Sequence, residues 1–176
     1  MENSQTIDSR EKLISFLGET LEEANDEMCP FVDLTSQTIE MHIDSGFSGI
    51  EEYEEFGGHE IVDIDCVSSR EAFSVMERFA LSRQEKERNT LLHVLSKRHP
   101  FRAFRSEVEY LGILQEWYDF KTKAYAEFAE ERLNDYDIDF VDGKIVCANP
   151  ENIRTVEADN DDIDLDDNDD INLGDE

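Results

Sequence analysis

Apolar residues recur at three- and four-residue spacing in some stretches of this chain and alternate singly in others, and the contrast assigns most of its elements. Leu13, Ile14, Leu17, Leu21 and Ala24 share one face of a helix predicted over residues 9–26. Asp8 opens it, with Glu11 three positions on as in a capping box, and Pro30 ends it. Phe31–Leu34 is short and apolar, and Thr35-Ser36-Gln37 supplies a turn. Residues 38–44 alternate strictly, with Ile39, Met41 and Ile43 on one side, which predicts a half-buried strand. A Gly- and Glu-rich connection over residues 45–58 leads to a further strand over residues 60–66.

The period then changes. Ser68 and Glu71 form a second capping box ahead of a stripe of Ala72, Phe73, Met76, Phe79 and Ala80. Leu91, Leu92 and Leu95 carry another helix up to Arg98. Pro100 suits the first turn of the next, whose apolar face is Phe101, Phe104, Val108 and Leu111, with Gly112 closing it. Trp117, Tyr118, Ala124, Tyr125, Phe128 and Leu133 mark a long helix. Residues 138–147 read as a hairpin, because Asp142-Gly143 can take the positive φ angles of a tight turn.

Strands on either side of a helical block predict an α+β fold, a small antiparallel sheet packed against helices. The division expected is an N-terminal helix over residues 1–29, an α+β domain over residues 30–148 and a disordered acidic C-terminal tail over residues 149–176. That tail has no aromatic residue and approaches an Asp/Asn repeat, too polar to offset the entropy of ordering.

Charge sharpens this picture. The net charge is -29, with 45 Asp plus Glu against 16 Lys plus Arg, a field that repels nucleic acid and anionic membranes at long range. It is unevenly spread. Residues 1–67 hold 18 acids against Arg10 and Lys12, whereas residues 78–105 hold eight basic residues against Glu85 and Glu87. The last 26 residues return to 12 acids against Arg154. Cys29, Cys66 and Cys147 are scattered, which disfavours a disulfide framework or a zinc site and suits a reducing compartment. With no signal-peptide pattern and no long apolar run, the expectation is a cytoplasmic protein without a membrane partner.

The candidate chemistry lies mainly in the basic segment. Arg98, Arg102 and Arg105, at spacings of four and three, fall near one helical face beside Phe101 and Phe104, with Trp117 and Tyr118 following. Three guanidiniums so placed suit acidic side chains or phosphates. The plainer account has them pairing with Glu107, Glu109, Glu116 or the acidic N-terminal half, and the aromatics in the core. A second constellation is Glu40, His42 and Asp44 on one strand with Asp63 and Asp65 on another. If those strands paired, the groups could hold a divalent cation or act as acid and base; otherwise they are a solvated sheet face. In the tail, Asp164, Asp166 and Asn168 partly follow a calcium-loop spacing, but Asp169 stands where Gly is needed and Asp175 where Glu is usual, which allows only diffuse cation binding.

Phe31-Val32-Asp33-Leu34-Thr35 with Thr38-Ile39-Glu40, then Glu60–Ile64 with Ser69–Phe79, resemble signatures of a bacterial uncharacterised protein family, number 0158. Phe101-Arg102-Ala103-Phe104-Arg105, Trp117-Tyr118-Asp119-Phe120 and Glu131-Arg132-Leu133 are similar to its C-terminal block. The resemblance covers roughly residues 30–140, departs from the family at Ser36-Gln37 where a glycine is usual, and implies a domain identity without catalytic residues. The N-terminal helix and acidic tail stand outside it.

No P-loop, GxGxxG, HExxH or GxSxG motif is present, and no cofactor is implied. The leading expectation is a non-enzymatic interaction or regulatory module whose site comprises Arg98, Arg102, Arg105, Trp117 and Tyr118, with a protein as partner. RNA binding at the same helix is the alternative. A metal-dependent enzyme using His42, Asp63 and Asp65 is a third. The acidic tail is expected either to screen the three arginines or to serve solubility alone.

Overall fold

The computed structural model describes residues 6–25, 27–43 and 56–157. The expectations placed on Asp44, on most of the connection over residues 45–58 and on the tail from residue 158 lie outside them.

The first helix, α1 (Arg10–Glu23), is capped by Ser9, whose side chain accepts from the Lys12 backbone N–H, while Asp8 pairs with the Lys12 ammonium. The expected cap at Asp8 was therefore one residue early. The helix also ends before Pro30. Asn25 makes the reversal instead, its side-chain oxygen accepting from the N–H groups of Glu27 and Met28. Pro30 then lies inside strand β1 (Met28–Asp33).

Strands β2 (Thr38–Ile43) and β3 (Glu60–Asp63) flank β1, both antiparallel to it. A fourth strand, β6 (Arg154–Thr155), pairs with β3, giving the order β2-β1-β3-β6. The boundary expected at residue 149 is thus corrected. Pro150–Asn152 form a turn of 3-10 helix capped by Asn149, β6 follows, and Val156 is buried.

The central strands bury both faces. One face sends Val32 and Val62 into the main core, while on the other Phe31, Ile61 and Val156 pack with Phe56 in a small second core. The sheet face expected to be solvated is therefore covered in its centre. Asp33 is 0% exposed there and is fully provided with donors. One oxygen accepts from Thr35 N and Ser36 N at 2.8 and 3.0 Å, and the other lies 2.7 Å from His59 Nδ1. Burial pushes the Asp33 carboxyl up, but the bonds from Ser36, His59 and Thr35 outweigh it and hold it below the ordinary aspartate value.

The helical block follows as α2 (Ser69–Ser82), α3 (Glu85–Leu95), α4 (Pro100–Tyr110) and α5 (Leu114–Asp135). The capping box at Ser68 and Glu71 is formed, Pro100 occupies the first turn of α4, and Gly112 takes φ +73° between α4 and α5. Gly18 lets α1 approach α5 closely, since a Cβ there would lie 3.2 Å from the Ala126 backbone N. The hairpin β4 (Ile138–Val141) and β5 (Lys144–Cys147) turns through Asp142 and Gly143 at positive φ. It forms its own two-stranded sheet. The architecture is α+β, with a small antiparallel sheet packed on helices. Among the described residues, no helix is long and apolar enough to cross a membrane.

Candidate functional site

Three of the five residues singled out in the basic-aromatic segment meet in one place. Arg105, Trp117 and Tyr118 line a groove of about 370 Å³ between α2, α4 and α5, with Phe101 and Lys121 on the same wall and Ala24 and Asn25 beyond the end of α1. Aromatic packing fixes its floor. Trp117 stands edge-on to Phe104 at 4.9 Å and to Phe79 at 5.3 Å, and is 8% exposed. Phe101, one turn away from that cluster, is 46% exposed.

The edge at Ser69 is held just as firmly. Glu71 takes the Ser68 N–H and hydroxyl on one oxygen and Arg132 Nη2 at 2.8 Å on the other, which ties the start of α2 to α5. Burial pushes the Glu71 carboxyl up, yet the Arg132 and Ser68 bonds carry it below its ordinary value. The floor at Trp117 and the edge at Ser69 are thus fixed by neighbours, while Phe101 and Arg105 face solvent.

The arginines divide differently from the expectation. Arg98 lies in the turn before α4, so only Arg102 and Arg105 share the helix, because Ser96 to His99 break from helical geometry. All three are exposed, and none makes an ion pair among the described residues. Glu116, a partner the sequence suggested for them, is taken by Arg83, which also bonds Glu87 and lies over the Phe79 ring. Lys121 is held by Glu22 at 2.8 Å. Trp117 is a core residue and Tyr118 is half-buried, so neither offers a ring face for base stacking.

The strand carboxylates do not converge as a metal centre would require. β1 lies between β2 and β3, so Glu40 and Asp63 oppose Phe31 from its two sides. Two strand spacings, about 10 Å between backbones, separate them, with Phe31 in between. His42, Asp63 and Asp65 do line one open cavity of about 450 Å³ with Cys29, Cys66 and Tyr136. There Asp63 accepts both Nε and Nη2 of Arg154, at 3.0 and 3.1 Å, from the strand β6 that the sequence reading missed. Burial, with a hydrogen bond to Asp65, pushes the Tyr136 hydroxyl up. Among the described residues, no group of three or more His, Cys, Asp or Glu side chains is placed to hold a metal ion.

Fold and groove together define an α+β domain with a small antiparallel sheet and a helical groove lined by aromatic and polar side chains, Arg105 among them. The sequence pattern of the Uncharacterised protein family UPF0158 matches residues 12–145, and the chain belongs to that family. The match takes in most of α1, so this helix is part of the family's domain and not an addition to it. The chain is 35% identical over 77 residues to the UPF0158 protein PA5073 of Pseudomonas aeruginosa, which covers 43% of this chain. It spans 50% of the length of that relative. No solved structure matches the chain.

Proposed function

We propose that this protein is a non-enzymatic interaction module whose groove between α2, α4 and α5 receives an acidic segment of a partner protein, anchored by apolar side chains. One observation carries the reading: a groove lined by both aromatic and polar side chains includes exposed Arg105, which has no ion pair among the described residues, in a chain of net charge -29. In a chain this acidic, a locally basic stretch with exposed guanidiniums favours a ligand that supplies carboxylates. Phe101 and the Trp117 edge provide the aromatic contact that anchors interfaces of this kind. The scattered cysteines support a reducing, cytoplasmic setting for the encounter.

RNA fits less well. The aromatic rings are committed to core packing, and the surrounding negative field opposes a phosphate backbone. The test uses the full-length chain and a peptide of about twelve residues alternating Ile or Leu with Asp, read through Trp117, the sole tryptophan. Saturable binding that shifts Trp117 emission and weakens at least about fivefold in Arg102→Glu/Arg105→Glu is expected. A single-stranded RNA oligonucleotide binding more tightly, with affinity collapsing between 50 and 200 mM salt, would replace the protein partner with RNA. Failure of both probes would remove the site.

A further inference from the structure

The groove already has a candidate occupant in this chain. We infer that the acidic segment over residues 158–176 docks in cis on the groove between α2, α4 and α5 and regulates access to it; this rests on the groove reading above. The segment follows Glu157, holds 10 acids and has no Lys or Arg. It is not uniformly polar. Asp161-Asp162-Ile163-Asp164-Leu165-Asp166-Asp167-Asn168 is followed at once by Asp169-Asp170-Ile171-Asn172-Leu173-Gly174-Asp175-Glu176, a tandem repeat identical at five of eight positions. Solubility needs carboxylates and has no use for Ile163, Leu165, Ile171 and Leu173. Each copy instead presents an Ile-x-Leu pair flanked by acids, which is the chemistry that a groove lined by Met76, Phe101, Trp117 and the exposed guanidinium of Arg105 would select.

Geometry permits the contact. Nineteen residues beyond Glu157 reach at most about 65 Å when extended, against a diameter of roughly 40 Å for a domain of this size. The chain leaves the sheet from its β6 edge, where Val156 is buried, so the segment starts from a fixed point. Tethering at this length gives an effective concentration on the order of 1 mM, and a contact of about 100 μM intrinsic affinity is then some 90% occupied. A partner must displace the segment before it can bind. Two copies give two alternative registers, so loss of one anchor pair leaves the other able to dock.

The full-length chain is compared with a full-length variant carrying Ile163→Ser, Leu165→Ser, Ile171→Ser and Leu173→Ser, which removes the anchors and keeps the charge. The probe is a synthetic peptide of residues 159–176, with Trp117 emission as the readout. The variant is expected to bind the peptide about tenfold more tightly than the unsubstituted chain, and Ile163→Ser/Leu165→Ser alone about twofold more tightly. Unsubstituted Trp117 emission should not change with protein concentration. Equal affinity of both chains for the peptide would overturn cis docking and leave the groove reading intact. No binding to either would overturn both. Trp117 emission that shifts with concentration as dimers form would assign the groove to a second copy and overturn the cis contact.

Discussion

The groove in the helical block and the cavity beside the sheet are of similar size, yet they treat charge in opposite ways. Around the sheet, acids meet donors: Asp33 takes two backbone N–H groups and His59, and Asp63 takes both arms of Arg154. Along α4, Arg102 and Arg105 are exposed, Arg105 on the groove, with no carboxylate partner among the described residues. A polar cluster whose members satisfy one another stabilises the fold and has little left for a ligand. A charged rim without such partners contributes little to the fold and keeps its binding capacity. The same side-chain types thus divide between those paired within the fold and those left exposed to solvent.

The largest effect that could break this division belongs to Asp33. Replacing it with Ala removes the buried acceptor of the Thr35 and Ser36 N–H groups and of the half-buried His59 ring. About 3 kcal/mol of stability should be lost in urea denaturation. The carboxyl also imposes a pH dependence. Its folded value lies below the ordinary one, so its contribution is complete above about pH 4 and disappears as pH falls through the lowered folded value. The stability gap between the natural chain and Asp33→Asn should therefore narrow from about pH 5 to pH 2. A gap that stays constant across that range would show that shape at this position, not charge, is what the sheet uses.

Periodicity explains why the helices were legible and the sheet was less so. A stripe such as Ala72, Met76, Phe79 and Ala80 reports burial within a single element, and so do the capping residues Ser68 and Pro100. Strand order is a property of distant pairings. Nothing near Thr38 or Glu60 says that β1 separates them, and the expected carboxylate cluster failed on that point. β6 was hidden for a related reason: two exposed residues, Arg154 and Thr155, carry no alternation and gain their place by pairing with β3. Gln37 shows a third kind of gap. It occupies φ +63°, where the resemblance led to glycine, and its side-chain amide bonds Leu34 O, Ile145 O and Ile145 N, joining the main sheet to the hairpin. Those bonds offset a left-handed conformation that costs roughly 1 kcal/mol. The groove was half legible. Arg105, Trp117 and Tyr118 were named from their composition, but Ala72, Met76 and Lys121 entered through helix packing alone.

A smaller effect is expected at the Arg154–Asp63 pair. Both side chains are nearly half exposed, so solvent screens the attraction even though the geometry is bidentate. Arg154→Ala should cost at most about 1 kcal/mol, and less in 1 M salt. A loss of 2 kcal/mol or more, insensitive to salt, would mean that β6 holds the second core of Phe31, Ile61 and Val156 together more firmly than its two residues suggest.

The smallest expected change is the most discriminating, because the comparison requires that the rim be nearly irrelevant to folding. Reversing Arg102 and Arg105 to Glu removes no ion pair among the described residues and touches exposed positions on a helix that tolerates Glu well. Two opposing terms accompany it. Mutual repulsion among Arg98, Arg102 and Arg105 is relieved, while the chain's overall charge grows more negative by four. Both terms act between solvated groups, so they should nearly cancel and leave stability within about 0.5 kcal/mol of the natural chain. Urea denaturation of Arg102→Glu/Arg105→Glu at low and high salt measures this directly. A loss above 1 kcal/mol that vanishes in high salt would mean that the arginines already hold carboxylates of their own chain in solution. If that loss persisted when Ile163, Leu165, Ile171 and Leu173 were replaced by Ser, those carboxylates would be bound without the apolar anchors, and the rim would belong to the architecture after all.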